Sequence, residues 1–404
     1  MTVSRNASPA PDVATRAMSR RVFLKRLGTG AGAVTVVVSG GVAWRVMDQG
    51  VLTPGTGPAY EAWRASLTGD GPLSLVRAAI LAANAHDTQP WAFRIAADRI
   101  DLFADRMRTI GTVDPVGREL EISLGCALEN LLVAAPANGY GAALTLLPES
   151  SDPDHVARVE LSATPAAGSP SFEAIPRRHT DRSGYDTTKA VKRIVLDDLA
   201  RLADDPAVSL VWLDAAPVKE RFGQLTVQAT EALIADPDQS RDDFAWYRQD
   251  WAEIQRRKDG ITVDTAALPE PMRLFVRMLP ASDRSTLQQG WVDATRDRHV
   301  ATAAAFGLIA VADGTDPAQR IAAGRLLQRV HLAATISGLA LQPLNQVFER
   351  IDRETSAGLE PTFGTAVAQL SPPEAQIVTA FRIGHPISTP HLSPRRPAED
   401  VLIT

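Results

Sequence analysis

A helical run closing on a glycine occurs twice in this chain, 199 positions apart, and no other feature restricts its fold as much. Gly125, Leu128, Leu131, Ala134, Ala135 and Gly139 lie on one face of a helix, and Gly324, Leu327, Val330, Ala333, Ala334 and Gly338 repeat them without a gap. Spacings of three and four mark a helix, and the final glycine supplies a left-handed cap. An apolar, strand-like segment follows each run, Ala142 to Leu147 and Leu339 to Leu344. Leu and Ala are common, so two core helices can match by chance, but six aligned positions favour an internal duplication. Small residues at 125/324 and 134/333 would let two such helices approach closely.

With 404 residues, the chain can bury one large core or two ordinary domains. A hydrophobic content of 45% implies a globular body, and a net charge of −5 without a long basic run argues against nucleic acid as partner. One cysteine, Cys126, excludes an internal disulfide and a cysteine metal cage, and the seven histidines show no metal-binding spacing.

The first 50 residues stand apart. Ser19-Arg20-Arg21-Val22-Phe23-Leu24-Lys25 precedes a weakly apolar, Gly-rich stretch from Leu27 to Trp44, the layout of a twin-arginine export signal. No clean small-x-small cleavage site follows, so a weak membrane anchor is an open alternative, though a short one for a span. Gly28-Thr29-Gly30-Ala31-Gly32 mimics a dinucleotide fingerprint, but a basic export region precedes it, not a strand. Gln49 to Pro58 reads as a linker. The expected organisation is signal and linker over 1–50, a first half over 51–168 and a second over 169–404, with the change near Ser162 to Pro176. The second half carries an excess, residues 243–291, with Phe244, Trp246, Tyr247 and Trp251, then Pro269, Pro271 and Pro280. An amphipathic helix followed by an irregular loop is expected there. It is plain core or, given its aromatics, a lid.

Two loops hold the polar chemistry. Asn84 to Phe93 (Asn-Ala-His-Asp-Thr-Gln-Pro-Trp-Ala-Phe) lies between a helical pattern at Leu75 to Ala83 and two short strands at Phe93–Ile95 and Ile100–Leu102. Pro90 stops the helix, leaving amides and hydroxyls at a helix–strand junction, either an ordinary polar turn or a seat for a planar, hydrogen-bonding ligand. In the second half, Ile175-Pro176-Arg177-Arg178-His179-Thr180-Asp181-Arg182-Ser183-Gly184-Tyr185 puts three arginines within six residues. It reads as a solvated charged loop or as a grip for a phosphate and a polar chain. Arg382-Ile383-Gly384-His385-Pro386 and Ser393-Pro394-Arg395-Arg396-Pro397 form a matching group at the tail.

Taken together, the chain resembles the nitroreductase-like flavoprotein superfamily, and within it the double-length, Acg-like branch of actinobacteria. The resemblance rests on Thr88-Gln89-Pro90-Trp91 after a helix, on Arg177-Arg178-His179-Thr180-x-Arg182, on Asp114-Pro-x-Gly117-Arg118-Glu119-Leu120 opening a helix, and on the tail, spanning roughly residues 59 to 400. It implies an α+β, nitroreductase-like fold of two tandem halves that imitate, within one monomeric chain, the dimer of single-length relatives. It also implies flavin mononucleotide (FMN) between the halves. By position, Arg178, with Arg177, His179 and Thr180 beside it, resembles the phosphate and ribityl arginine, Arg182 the basic residue facing flavin N1 and O2, and Arg395, near Ser393, the C-terminal phosphate arginine. Asn84, Ala85, Asp87 and Gln89 match the loop that packs on the flavin from the other half, and Leu344, Asn345 and Gln346 the backbone donors to N5 and O4. Ser393 stands where Lys is common, and Asn84 and Asp87 replace the usual Ser and Asn. A carboxylate there would oppose charge on reduced flavin. Only one half carries the arginine loop and only the other the Gln-Pro-Trp loop, so one complete site per chain is expected.

The implied activity is an oxidoreductase that passes hydride from NAD(P)H to flavin and then to a quinone or nitro-type acceptor, with no protein acid or base assigned. The alternative is a flavin-storing protein with little turnover, closed by the 243–291 insertion. A serine hydrolase is disfavoured because no Gly-x-Ser-x-Gly elbow occurs. Export to the cell envelope would place the protein where nicotinamide cofactors are scarce, which favours a quinone-coupled partner or storage.

Overall fold

Trp91 and Phe93 are buried on one face of β1 (Trp91–Ile95), while Ala92 between them is half-buried and Arg94 after them is exposed, the alternation of a sheet covered on one side. The computed structural model describes residues 45–370 and 376–404, so the export-signal reading of residues 19–44 lies outside it. In chain order, α1 (Pro72–Ala79), β1, β2 (Arg99–Ala104), α2 (Arg118–Ala137), β3 (Tyr140–Leu146) and β4 (His155–Ala163) make the first half. The second opens with two short helices, Pro170–Ala174 and Arg193–Ala200, and goes on to β5 (Val208–Leu213) and α3 (Ala216–Ala235). Four helices follow: α4 (Pro237–Phe244), α5 (Trp251–Arg257), α6 (Glu270–Met278) and α7 (Arg284–Ala294). The chain then runs through β6 (Ala305–Val311), α8 (Pro317–Ile336), β7 (Ala340–Pro343), α9 (Gln346–Ala357) and β8 (Gln376–Gly384).

Each half builds a four-stranded antiparallel sheet, and the two have the same strand order: β1-β2-β4-β3 and β5-β6-β8-β7. In each, the long helix connects the second strand to the third. α2 and α8 cross against each other, and the crossing depends on Gly125 and Gly324. A Cβ at Gly125 would overlap the Ile321 carbonyl oxygen, and a Cβ at Gly324 the Ile122 carbonyl oxygen. Ile122 and Ile321 are themselves 199 positions apart, so the two contacts are one contact repeated about a twofold relation. Two further pairs exchange under the same shift: Arg329 Nε to Glu129 Oε1 at 2.9 Å, and Gln328 Nε2 to Asn130 Oδ1 at 2.8 Å. The terminal glycines take the expected left-handed backbone, Gly139 at φ 77° and Gly338 at φ 69°.

A single apolar core includes residues of both halves, among them Trp91, Leu128, Leu327 and Phe381. Each such side chain, fully buried, contributes roughly 1.5–3 kcal/mol. The tail crosses back to the first half, where Ile403 N–H donates to the Phe93 carbonyl at 2.8 Å beside β1. Residues 49–58 are docked, unlike the free linker expected. Gln49 and Val51 are buried, Gly50 lies under the Trp251 ring, and Tyr60 stacks on Trp251.

The 243–291 segment is richer in helix than the single helix and irregular loop expected. Three of the four helices here, α4, α5 and α7, start on acidic caps: Asp236 accepts from the backbone of Asp238 and Gln239, Asp250 from Glu253, and Asp283 from Thr286. Of the prolines expected in an irregular loop, Pro269 precedes α6 and Pro271 sits in its first turn, where a missing N–H costs nothing, while Pro280 lies in the loop after it. Fully buried Asp264 takes ion pairs from Arg273 at 2.9 Å and from Arg277, and Arg273 also donates to the Val51 carbonyl. Breaking one partner of such a cluster costs about 3–5 kcal/mol, so the segment is pinned to the body.

Candidate functional site

The loop after α1 holds three non-glycine residues in left-handed backbone: His86 at φ 49°, Asp87 at φ 56° and Gln89 at φ 52°. Such residues each cost on the order of 1–3 kcal/mol and persist where surroundings over-determine them. Here Ala85 N–H donates to Ser123 Oγ at 3.0 Å and Gln89 N–H to Asn84 Oδ1 at 2.8 Å. The His86 ring meets Asp243 Oδ1 at 2.9 Å. The Gln89 side chain joins three regions, donating to the Lys258 carbonyl and accepting from Arg396 N–H, each at 2.8 Å.

Behind this loop two buried guanidiniums converge on the carbonyls that end the α1 turn. Arg178, 1% exposed, donates to Leu81 O at 2.9 Å and approaches His331 Nδ1 at 3.4 Å. Arg395, 3% exposed, donates to Ala82 O at 3.2 Å, to Ser393 Oγ at 2.8 Å and to the Asp87 carboxylate. Both Nε atoms, and Asp87 Oδ2, are buried without a partner among the described residues. Burial, then the neighbouring Arg395, pull the Arg178 pKa down to about 9, while burial lifts Asp87 to about 6 despite Arg395. The His179 ring packs on Trp63 with centroids 4.7 Å apart, and burial and the two arginines press its pKa down to about 3, so it is neutral.

In front of the loop lies a cavity of about 310 Å³. Of the residues singled out from sequence, Asn84, Ala85, Thr180, Arg182, Asn345 and Gln346 line it. Arg178, His179, Asp87, Ser393 and Arg395 gather one layer behind. Among the described residues the Arg182 guanidinium makes one long hydrogen bond, Nη1 to Thr265 O at 3.4 Å, and burial lowers its pKa. Leu268, Met272, Val276, Leu287 and Trp291, all from the 243–291 segment, form an apolar roof.

Three sequence expectations change. Arg177 is exposed and donates to the Glu173 carbonyl at 3.2 Å, because it ends a short 3-10 turn that leaves it outside while Arg178 turns in. Gln89 is spent on cross-linking the loop. Leu344 N–H donates to the Ala380 carbonyl at 2.8 Å within the sheet, so it is not free for a ligand. The Asn345 side chain is also committed, to Glu119 Oε2 at 2.8 Å and to Thr379 and the Ala380 N–H of β8. Gln346, at the first position of α9, keeps an Oε1 without a partner among the described residues.

The sequence reading missed an acidic wall. Glu119, Asp243 and Glu349 line the cavity, with Asp114 close by. Gln346 and Glu349 are three apart on a helix and share a face, a signal that was present. Neutral His299 also lines the cavity, its pKa held well below the usual value by burial and then by Arg382. Burial pushes the Cys126 thiol up to about 12, so it is an inert lining group.

No protein-family model matches the chain. It is similar to two Mycobacterium tuberculosis proteins. One, named "Putative NAD(P)H nitroreductase Rv3131", is 28% identical over 286 residues, 67% of this chain and 75% of that protein. The other, "Putative NAD(P)H nitroreductase acg", is 25% identical over 354 residues, 83% and 96% respectively. Among solved structures, the FMN-dependent nitroreductase NfnB of Mycobacterium smegmatis in complex with NADPH matches 58% of this chain and 97% of its own, at 15% identity and a TM-score of 0.37.

Proposed function

We propose that this chain, which fits the nitroreductase-like, Acg-like family, is an FMN-dependent NAD(P)H oxidoreductase with one flavin site formed between its halves. The observation that carries the reading is the pair of buried arginines. Arg178 and Arg395 share a single carboxylate, Asp87, so a positive charge is left without a counterpart beside the cavity. An uncompensated buried cation is costly, and the phosphate of a mononucleotide supplies both the missing charge and acceptors for the bare Nε atoms. The residues therefore fit FMN: Arg178 and Arg395 would hold the phosphate, Thr180 and Asn84 the polar chain, and Arg182 and Gln346 the ring edge.

When bound, the flavin supplies hydride acceptance from NAD(P)H and hydride transfer onward. The chain does the rest. Arg182, poorly hydrogen-bonded and desolvated, places positive charge where negative charge would develop. Neutral His299 and His179 add no competing proton. The apolar roof of Leu268, Met272 and Trp291 excludes water and favours a planar, apolar acceptor such as a quinone over a small, polar nitro compound.

The halves are read as an intrachain imitation of a dimer, on the support of equal strand orders and exchanging contacts at α2 and α8. A second cavity, of about 220 Å³, lies at Ile321, the counterpart of cavity-lining Ile122, without an arginine loop. One flavin per chain is the expectation. Export through the twin-arginine signal, before the flavin site is used, belongs to the same reading. The pinned roof also suits a storage protein, in which the flavin is held but shielded from donors. Titration with FMN tests the site: Arg178→Ala should weaken binding strongly in a folded protein, and unchanged affinity would remove the assignment.

A further inference from the structure

Glu349 lies one helical turn beyond Gln346 on α9, on the wall of the cavity, and its Oε2 is buried without a hydrogen-bond partner among the described residues. Three carboxylates face it from other elements: Glu119 at the start of α2, Asp114 from the loop before it, and Asp243 at the end of α4. The cations nearby are bonded to other groups, and the nitrogens they keep over, Arg118 Nη2 and Arg350 Nε, reach no acceptor among the described residues. Arg118 is bonded to Glu119 and to Asp352, both at 2.7 Å, and His86 is bonded to Asp243. Arg350, next to Glu349 in sequence, turns to Gln239 and Asp236.

Two of the other carboxylates have donors suited to a charged form, while Asp114, like Glu349, keeps one oxygen without a partner among the described residues but does not line the cavity. Glu119 takes Arg118 and Asn345 on its two oxygens, Asp243 takes His86 and Gln288, and Asp114 accepts the Leu120 N–H at 3.0 Å. Glu349 has a bare oxygen, like charges around it, and a face on the cavity. Like charges in low dielectric cannot all ionise, and the member with the poorest hydrogen bonding keeps its proton. Burial and then Glu119 hold its carboxyl well above the usual carboxylate range.

We propose that Glu349 is a carboxylic acid at neutral pH and donates a proton to the acceptor reduced in this cavity. The proposal rests on the oxidoreductase reading above. For a quinone, one carbonyl oxygen gains hydrogen as hydride, two electrons with one proton, from the reduced cofactor. The Glu349 O–H bond breaks, and its proton forms the O–H bond at the second oxygen. A hydroquinone and a Glu349 carboxylate result, and water returns the proton once the product leaves.

The test compares wild type and Glu349→Gln, loaded with FMN, using NADPH and two acceptors. p-Benzoquinone takes up protons with its electrons, whereas ferricyanide takes electrons alone. Glu349→Gln should lower kcat with p-benzoquinone by about 10²-fold, the usual scale of acid catalysis, and leave ferricyanide reduction near wild type. The wild-type quinone rate should fall as pH rises through the titration of Glu349, and the variant should lack that fall. Infrared spectra of the flavin-free proteins at neutral pH provide a readout apart from turnover: the wild-type minus Glu349→Gln difference spectrum should contain the C=O stretch of one protonated carboxyl, over and above those of Asp114 and Asp87 that both proteins share. A missing band, or equal effects on both acceptors, would overturn the proposal while leaving a working flavoprotein. A wild type that reduces neither acceptor would instead remove the oxidoreductase reading, and the proposal with it.

Discussion

Gly125 and Gly324 face each other where α2 and α8 cross, so close that a Cβ at Gly125 would lie 3.0 Å from the Gly324 Cα. Each also packs against the carbonyl of the other's preceding isoleucine. The crossing sits at the centre of the shared core, and backbone on both sides leaves little room to yield.

Gly125→Ala and Gly324→Ala should therefore each destabilise the protein by about 2–4 kcal/mol, at the upper end of overpacking costs. The double variant should cost less than the sum, because both changes strain one contact. Gly364, in the helix Thr362–Ala368, has nothing within 4 Å of its would-be Cβ. Gly364→Ala should stabilise by about 0.5–1 kcal/mol. Urea unfolding of the four variants measures all of this. Equal, small effects at 125 and 364 would mean the helices do not cross as described.

Asp87 occupies Arg395, a residue assigned to the phosphate, so the carboxylate competes with FMN. Replacing it by the isosteric Asn removes that competition and keeps the hydrogen bond from Asn84. Asp87→Asn should tighten FMN binding by about tenfold at neutral pH, equivalent to 1.4 kcal/mol, and flatten the dependence of affinity on pH near 6. Fluorescence titration across pH 5–8 would read it. Arg395→Ala and Arg178→Ala should each weaken binding by about 10–100-fold, the range for lost charge-assisted bonds. A weaker Asp87→Asn complex would show that the carboxylate supports the ligand.

Stability without added flavin should fall as pH rises above neutrality. Burial, then Glu119, raises Asp114 to about 7, and burial raises Asp87 to about 6; burial, then Glu119, also holds the Glu349 carboxyl well above the usual carboxylate range. A carboxyl raised on folding stabilises fully below its unfolded pKa and loses that contribution as pH climbs through the folded value. His179, His299 and His331 are depressed by burial, so their contribution is present above about 6.5, the unfolded value, and lost as pH falls. The two sets oppose each other between about pH 4 and 6.5, and above that the carboxyls act alone. Melting temperature should decline between pH 6.5 and 8, and Asp114→Asn with Glu349→Gln should remove most of the decline. An unchanged slope in the double variant would place the cause elsewhere.

Local pattern displayed much of the framework. The repeated glycine-capped run marked α2 and α8 because close helix crossing needs glycine whatever surrounds it. Alternation at Phe93, Ile95, Ile100 and Leu102 marked the first hairpin, and Pro90 marked where the helical pattern stops. The acidic caps at Asp236, Asp250 and Asp283 are equally local signals, but the aromatic run from Phe244 to Trp251 carries the spacing of one amphipathic helix across the boundary between α4 and α5. Other features depend on neighbours distant in sequence. Arg177 and Arg178 are alike in composition, and the turn that separates inside from outside is set by packing of Ala174 and Ile175. Glu349 is an ordinary helical glutamate until Glu119, Asp114 and Asp243 surround it. Gln89, in a motif suited to ligand binding, is consumed by Lys258 and Arg396, 169 and 307 residues away.

The most direct test of a flavin-dependent reductase is the visible spectrum of the purified chain, recorded before and after anaerobic addition of NADPH. The expected protein is yellow, with one FMN per chain, and bleaches promptly with NADPH and again after reoxidation by p-benzoquinone. A colourless protein that takes up no added FMN would contradict the site itself. A yellow protein that ignores NADPH and NADH but bleaches with dithionite would contradict the reductase and leave the chain as a keeper of flavin.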